Sequence, residues 1–296
     1  MSAPTTDQPS PEVTALARRW NLEPLRGRPR FGAYLAQMWQ RRAFMLELAR
    51  SRFRAQNEAD RLGSAWIILL PLLNALVYGT IFRYLIPSKL PNFVPYLVIG
   101  VFMFQFFGSS FQNGARVIHA NKGLVTSLHF PRAVLPLAAV LQEMFALLWS
   151  VAAMLGILLL LGEWPQVSWL LLPPIVAVYA VFNAGIALIA ARATAKLRDI
   201  AQLVPFITRV FFYISGIFYH HTSTSGSRNP MGLLMEYNPV ANFLTLCRVS
   251  LLGRAHIVSN DWNLLHQFGI AALWAVVLFV AGFVWFWRAE EEYGRD

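Results

Sequence analysis

Charge is what this sequence has least of. Of its 296 residues 14% are charged and 56% hydrophobic, and the mean hydropathy is +0.47. A soluble domain carries about 25% charged residues, so the shortage excludes an ordinary soluble globule and points to an integral membrane protein. Cysteine is absent apart from Cys247, which excludes an internal disulfide framework and a multi-cysteine metal site. There is no G-x-x-x-x-G-K-[ST] phosphate loop, so the chain is not expected to hydrolyse ATP. G-x-S-x-G and H-E-x-x-H are missing too. No short apolar core followed by small residues marks a cleavable signal.

What is present is long apolar runs. About 20 mainly apolar residues cross roughly 30 Å of hydrocarbon, and six segments qualify: 65–85, 94–117, 133–161, 167–191, 200–220 and 263–287. The net charge of +10 would suit nucleic acid, but its placement excludes that partner. Eleven arginines precede the first span. Arg116, Lys122 and Arg132 lie in the second connection, Arg192, Lys196 and Arg198 in the fourth, and Arg288 and Arg295 at the C-terminus. The positive-inside rule therefore puts both termini and the connection 116–132 of a multi-pass chain in the cytoplasm.

Two pieces do not span. Residues 31–54 bring Phe31, Leu35, Met38, Met45, Leu46, Ala49 and Phe53 near one helical face, predicting an amphipathic helix in the interface or packed on a partner. Segment 221–262 is apolar in two short runs broken at Asn238–Pro239, predicting a pair of re-entrant helices on the outer side that border a passage. The chain thus divides into a disordered cytoplasmic tail (1–30), an amphipathic interface helix (31–57), a six-span transmembrane domain (58–290) containing 221–262, and a cytoplasmic tail (291–296).

Ionisable groups inside the spans are few: Glu143 and Arg209. Either they form a buried pair or Glu143 faces an aqueous path. His220–His221 reads as two interfacial histidines or as the start of a metal site, although no carboxylate pattern completes one. Aromatics are abundant, with 22 Phe, 10 Trp and 9 Tyr. Interfacial belts and lipid-facing rings account for many; alternatively a subset lines a passage, with Tyr78, Phe82, Phe102, Phe106, Phe212, Tyr213 and Tyr219 the candidates. In "EADRLGSAWIILLP" (58–71) Gly63 permits a sharp bend. There Arg61 sets a cation beside the membrane, as a phosphate anchor or as an ordinary positive-inside arginine.

The connection "ANKGLVTSLHFPRAVLP" (120–136) holds more than a turn requires: a short helix-like piece ended by an aromatic, a proline and an arginine. Taken with Leu62–Gly63, Trp66 and Pro71, with Asn121 and Leu124 followed by "FPRAVLP" (130–136), with Arg198–Asp199, with Ser215 and Tyr219, and with Asn238–Pro239, it resembles the permease subunit of bacterial ABC exporters for lipid-linked polysaccharides. That group includes O-antigen, teichoic-acid and actinobacterial galactan exporters, and the resemblance runs from about residue 31 to 290. Gly216 departs from it, since the family often has proline after the serine.

The resemblance implies an all-α integral membrane protein with six transmembrane helices, an N-terminal interface helix and two short re-entrant helices between the fifth and sixth spans. Two copies would pair around a passage, each with a cytoplasmic ABC ATPase that binds ATP and Mg; this chain would carry no cofactor and catalyse nothing. Gly123, Leu124, Leu128, His129, Phe130, Pro131 and Arg132 would couple to the ATPase, with Leu124, Leu128 and His129 entering its groove. Arg61, Leu62, Gly63 and Trp66 would lie at the entrance for a polyprenyl-diphosphate-linked polysaccharide, Asn238 and Pro239 at an outer gate, and Arg198 and Asp199 at a conformational turn. The alternatives are a drug or small-lipid ABC exporter permease and a polyprenyl-linked glycosyltransferase. The latter would be expected to show acidic pairs holding a metal, where this chain has only scattered Glu163, Glu236 and Asp261.

Overall fold

The computed structural model describes residues 30–58, 63, 65–85, 93–127, 130–218, 238–253, 263–290 and 293, with the side chains at 58 and 82–85 outside that description. Among these residues the regular structure is helical. In chain order the α-helices are α1 Phe31–Gln40, α2 Arg42–Glu58, α3 Ala65–Leu85, α4 Phe93–Ala120, α5 Lys122–Ser127, α6 Val134–Leu160, α7 Leu172–Lys196, α8 Ile200–Ile214, α9 Pro239–Leu252 and α10 Leu264–Arg288. A 3-10 turn, Val167–Leu171, leads into α7. Pro173 and Pro174 fall in the first turn of α7, where a missing N–H leaves no helical bond unmade.

Helix α7 is the centre of the bundle, packed against α4 on one side and most extensively against α10 on the other. The α7–α10 crossing is close because it is made by glycine. A Cβ at Gly185 would lie 2.6 Å from the backbone of Leu278 and Phe279, and one at Gly282 would lie 2.6 Å from the Gly185 carbonyl oxygen. Small residues at a crossing are how membrane helices gain contact where burial of oily surface gives little advantage. Around this centre α3, α6 and α10 expose Leu70, Leu73, Leu76, Leu148, Leu160, Leu273 and Val276. Apolar surface on that scale belongs in lipid rather than water.

Four helical segments are both long and apolar enough to cross a membrane: Phe93–Ala120, Val134–Leu160, Val167–Lys196 and Leu264–Arg288. They match the expected second, third, fourth and sixth spans to within a few residues at each end. The shorter apolar helices include Ala65–Ile81 and Ile200–Ile214. The expected fifth span, 200–220, therefore ends early: α8 stops at Ile214, and its 15 residues reach about 22 Å at 1.5 Å per residue. Gly216 follows with φ +66, a left-handed turn that needs no proline and suits glycine. Of the two expected short helices near 221–262, the second is α9, starting where Asn238–Pro239 predicted; the first lies outside the described residues.

The interface helix also differs from its expectation. It is broken at Arg41 into α1 and α2; of the expected stripe Met38, Met45, Leu46, Ala49 and Phe53 are buried or half-buried, and Tyr34 and Leu48 join them on the inward face. Phe31, Leu35 and Trp39 stay exposed. A phenolic residue outranks the aliphatic stripe here because its hydroxyl finds buried partners, described next.

Candidate functional site

The connection between α4 and α6 is braced at both ends. At its start Arg52 of α2 donates to Asn121 Oδ1 (2.5 Å), while Asn121 Nδ2 donates to the Val117 carbonyl (2.5 Å). At its end the Phe130 ring packs edge-on against Phe44 of α2, centroids 5.7 Å apart. Next to it Tyr34, Arg132, Ala133 and Glu290 form one hydrogen-bonded cluster. The Tyr34 hydroxyl donates to Glu290 Oε2 (2.8 Å) and accepts from the Ala133 N–H (3.1 Å). The Arg132 N–H donates to Glu290 Oε1 (2.9 Å), and the Arg132 guanidinium donates to the Glu290 carbonyl.

Burial pushes the Glu290 carboxyl above its usual range, against the hydrogen bonds from Arg132 and Tyr34, which pull it down. Burial, aided by the nearby Glu290 charge, raises the Tyr34 hydroxyl far above its ordinary value, so it stays protonated and keeps donating. Arg132 thus serves an internal partner. Between the braces α5 turns Val125 inward and half-buries Leu124 against the Tyr34–Ala133–Phe286 core. Lys122, Gly123, Thr126 and Ser127 face outward. The outward face is polar, and Leu124, expected to enter a partner, is partly used inside; Leu128 and His129 lie outside the described residues.

Above this end of the bundle, α2, α3, α4 and α6 enclose a cavity of about 350 Å³. Its polar lining includes Gln56, Asn57, Gln105, Ser109, Gln142, Glu143 and Ser150, and its apolar lining includes Trp66, Phe102 and Phe106. Gln142 Nε2 donates to Gln56 Oε1 (2.7 Å), and Gln105 Nε2 donates to Ser109 Oγ (3.0 Å). Glu143 does not pair with Arg209. Its Oε1 accepts from Asn113 Nδ2 (2.7 Å), while Arg209 is exposed on α8. Gly63, in a left-handed turn (φ +47), and Trp66, whose N–H donates to the Gly63 carbonyl (3.3 Å), border the cavity. Arg61 and Leu62 lie outside the described residues.

At the opposite end, Asn238 caps α9 by accepting from the N–H groups of Val240 and Ala241. It also donates to Ser215 Oγ (3.1 Å), joining the start of α9 to the end of α8. Arg248, 1% exposed, has no carboxylate partner among the described residues. Its guanidinium donates to the carbonyls of Tyr96 (3.1 Å), Gly216 (3.1 Å) and Ile217 (3.4 Å) and lies 3.6 Å from the Tyr96 ring centroid. Sequence reasoning missed this residue; the signal available was the single charged residue of the 14-residue run Pro239–Leu252.

The aromatic candidates separate into two groups. Tyr78, Phe212 and Tyr213 meet with Phe104 and Phe218, centroids 5.1–6.2 Å apart, whereas Phe102 and Phe106 border the cavity. The Phe82 side chain, Tyr219 and His220–His221 lie outside the described residues. Arg198 and Asp199 are exposed in the turn between α7 and α8. Among the described residues no group of three metal-ligating side chains exists.

Three relatives are similar to this chain in sequence. The chain is 26% identical to the O-antigen export system permease protein RfbA of Myxococcus xanthus over 209 residues, covering 71% of this chain and 80% of that one. It is 30% identical over 183 residues to a Klebsiella pneumoniae protein of the same name, covering 62% and 70%. A second Klebsiella pneumoniae protein of that name is 27% identical over 192 residues, covering 64% and 73%. The family model for ABC-2 type transporters matches residues 45–252, from α2 through the end of α9, and the chain belongs to that family.

Proposed function

We propose that this chain is the membrane-spanning subunit of an ATP-driven exporter. It would move a polyprenyl-diphosphate-linked polysaccharide from the cytoplasmic to the outer side of the inner membrane. The observation that carries the reading is the braced connection 121–133. A turn that only joined two spans would have no use for anchors from α1, α2 and the C-terminal Glu290. A turn that receives force from a partner does. The names of the relatives supply the class of cargo.

In this reading six segments span, both termini are cytoplasmic, and two copies pair around the passage. Each copy binds one ATPase subunit, which holds ATP and Mg; the outward face of α5 docks on it. ATP-driven closure of the ATPases shifts the population of transporter conformations by differential binding, with no covalent chemistry in this chain. The export test is depletion of the protein in its host. Glycan linked to polyprenyl diphosphate is expected to accumulate on the cytoplasmic side, and a depleted strain without such accumulation overturns the export reading.

A further inference from the structure

The cavity between α2, α3, α4 and α6 has a chemistry that neither a lipid tail nor a diphosphate calls for. Three of its polar side chains are more than nine-tenths buried: Gln142 at 8% exposure, Glu143 at 8% and Ser150 at 5%. Only part of their capacity is used. Glu143 Oε1 takes the Asn113 amide, and Gln142 Nε2 reaches Gln56. Glu143 Oε2, Gln142 Oε1 and the Ser150 hydroxyl have no hydrogen-bond partner among the described residues. A buried carboxyl in a spanning helix is costly, so it marks function more often than structure. The one charged group in the described lining is acidic, which disfavours phosphate.

We propose that this cavity receives an uncharged sugar ring of the lipid-linked glycan. Glu143, Gln142, Gln105 and Ser150 would bond its hydroxyls, and the Trp66 and Phe106 rings would cover its apolar faces. Amides and a carboxyl give hydroxyl groups both donors and acceptors, and a few convergent polar groups among aromatic walls is the usual make-up of a small-molecule site. The volume, about 350 Å³, is at the small end of the roughly 300–1,000 Å³ range of such sites: room for a ring, not for a polymer. Glu143 lies nine residues into α6, about 14 Å from the start of that helix, so the ring enters from the end of the bundle where Gly63 and Trp66 stand. The diphosphate then stays outside, at the membrane surface. This rests on the export reading.

The test uses the full transporter–ATPase complex in nanodiscs. Its native cysteine in this subunit, Cys247, is fully buried, so Ser109→Cys, on the cavity wall but outside the four side chains assigned to the sugar, reports on the cavity through its rate of modification by a water-soluble thiol reagent. The probes are the host's purified lipid-linked glycan and undecaprenyl diphosphate without sugar. The glycan lipid is expected to slow labelling at least about tenfold and the bare diphosphate to leave it unchanged. Adding Glu143→Leu should restore fast labelling, whereas Glu143→Gln, which still offers an amide oxygen, should keep most of the protection. Equal slowing by both probes would mean a lipid or diphosphate occupant and overturns the proposal. ATP hydrolysis measured in the same preparation separates the two readings. Stimulation by the glycan lipid without protection overturns the sugar cavity and leaves export standing; neither stimulation nor protection overturns both.

Discussion

The two ends of the bundle are fastened by arginines in different ways. At one end the Glu290 carboxyl takes the Arg132 backbone N–H and the Tyr34 hydroxyl, while the Arg132 guanidinium donates to the Glu290 carbonyl, in a cluster bordered by half-buried residues. At the other Arg248 is sealed from solvent and satisfied by three backbone carbonyls and an aromatic face. Backbone acceptors are fixed by the turn that presents them, so the Arg248 end can move only as a block. A side-chain carboxyl sits on rotatable bonds and can follow its donors. The difference suits an end that holds its shape and an end that receives a push.

Arg248→Met is the strongest way to test the rigid end. It takes a donor from each of the carbonyls of Tyr96, Gly216 and Ile217 in a buried site, with Gly216 keeping a second side-chain donor, the Tyr96 hydroxyl, and the expected loss is about 3 kcal/mol. Thermal unfolding of the detergent-solubilised protein, followed by size exclusion, measures it. Arg248→Lys should fall between, because an ammonium cannot reach three acceptors from one fixed fork. An Arg248→Met protein as stable as the parent would remove the far-end half of the comparison.

Tyr34→Phe tests the other end and should cost less, about 1–3 kcal/mol. It removes the donor to Glu290 and the acceptor for the Ala133 N–H at a position 1% exposed, but Glu290 keeps the bond from the Arg132 N–H. Transport by the full complex should drop further than stability does, since the brace between α1 and the connection is lost. A cost equal to that of Arg248→Met would show that the two ends are held alike.

Much of this fold was legible because the long apolar runs could be nothing else: α4, α6, α7 and α10 begin and end within a few residues of the hydropathy limits. Asn238–Pro239 was legible as a helix start because a capping side chain followed by proline has a local meaning. The early stop of α8 was not, since Gly216 gains its meaning from Arg248 and Asn238, far away in sequence. The same holds for the braces. Tyr34 was hidden by a stripe of aliphatic neighbours, and Glu290 by the run of acids in the C-terminal tail. Neither has a spacing that marks it, because each is defined by a partner at least 99 positions distant. The polar cavity was half visible: Glu143 stood out as an acid in a span, but Gln142, Gln105 and Ser150 are ordinary residues until α2 and α3 close over them.

The smallest expected effect on stability separates docking from bracing. Pro131→Ala with Arg132→Glu should uncouple ATP hydrolysis from transport while the protein still inserts, yet that double change sets a carboxylate against Glu290 and so disturbs the brace as well. Lys122→Glu with Gly123→Gln changes only the outward face of α5: Lys122 is exposed, and nothing lies within 4 Å of a Cβ at Gly123. Its stability should stay within about 0.5 kcal/mol of the parent, as exposed substitutions usually do. Co-purification of the ATPase subunit should nevertheless fall severalfold, because a charge is reversed where the partner must sit. Full retention of the ATPase, with unchanged stimulation, would mean that α5 transmits force without being touched on this face. The braces at Arg52, Tyr34 and Glu290 would then be the contact route, through the N-terminal helices instead of the connection.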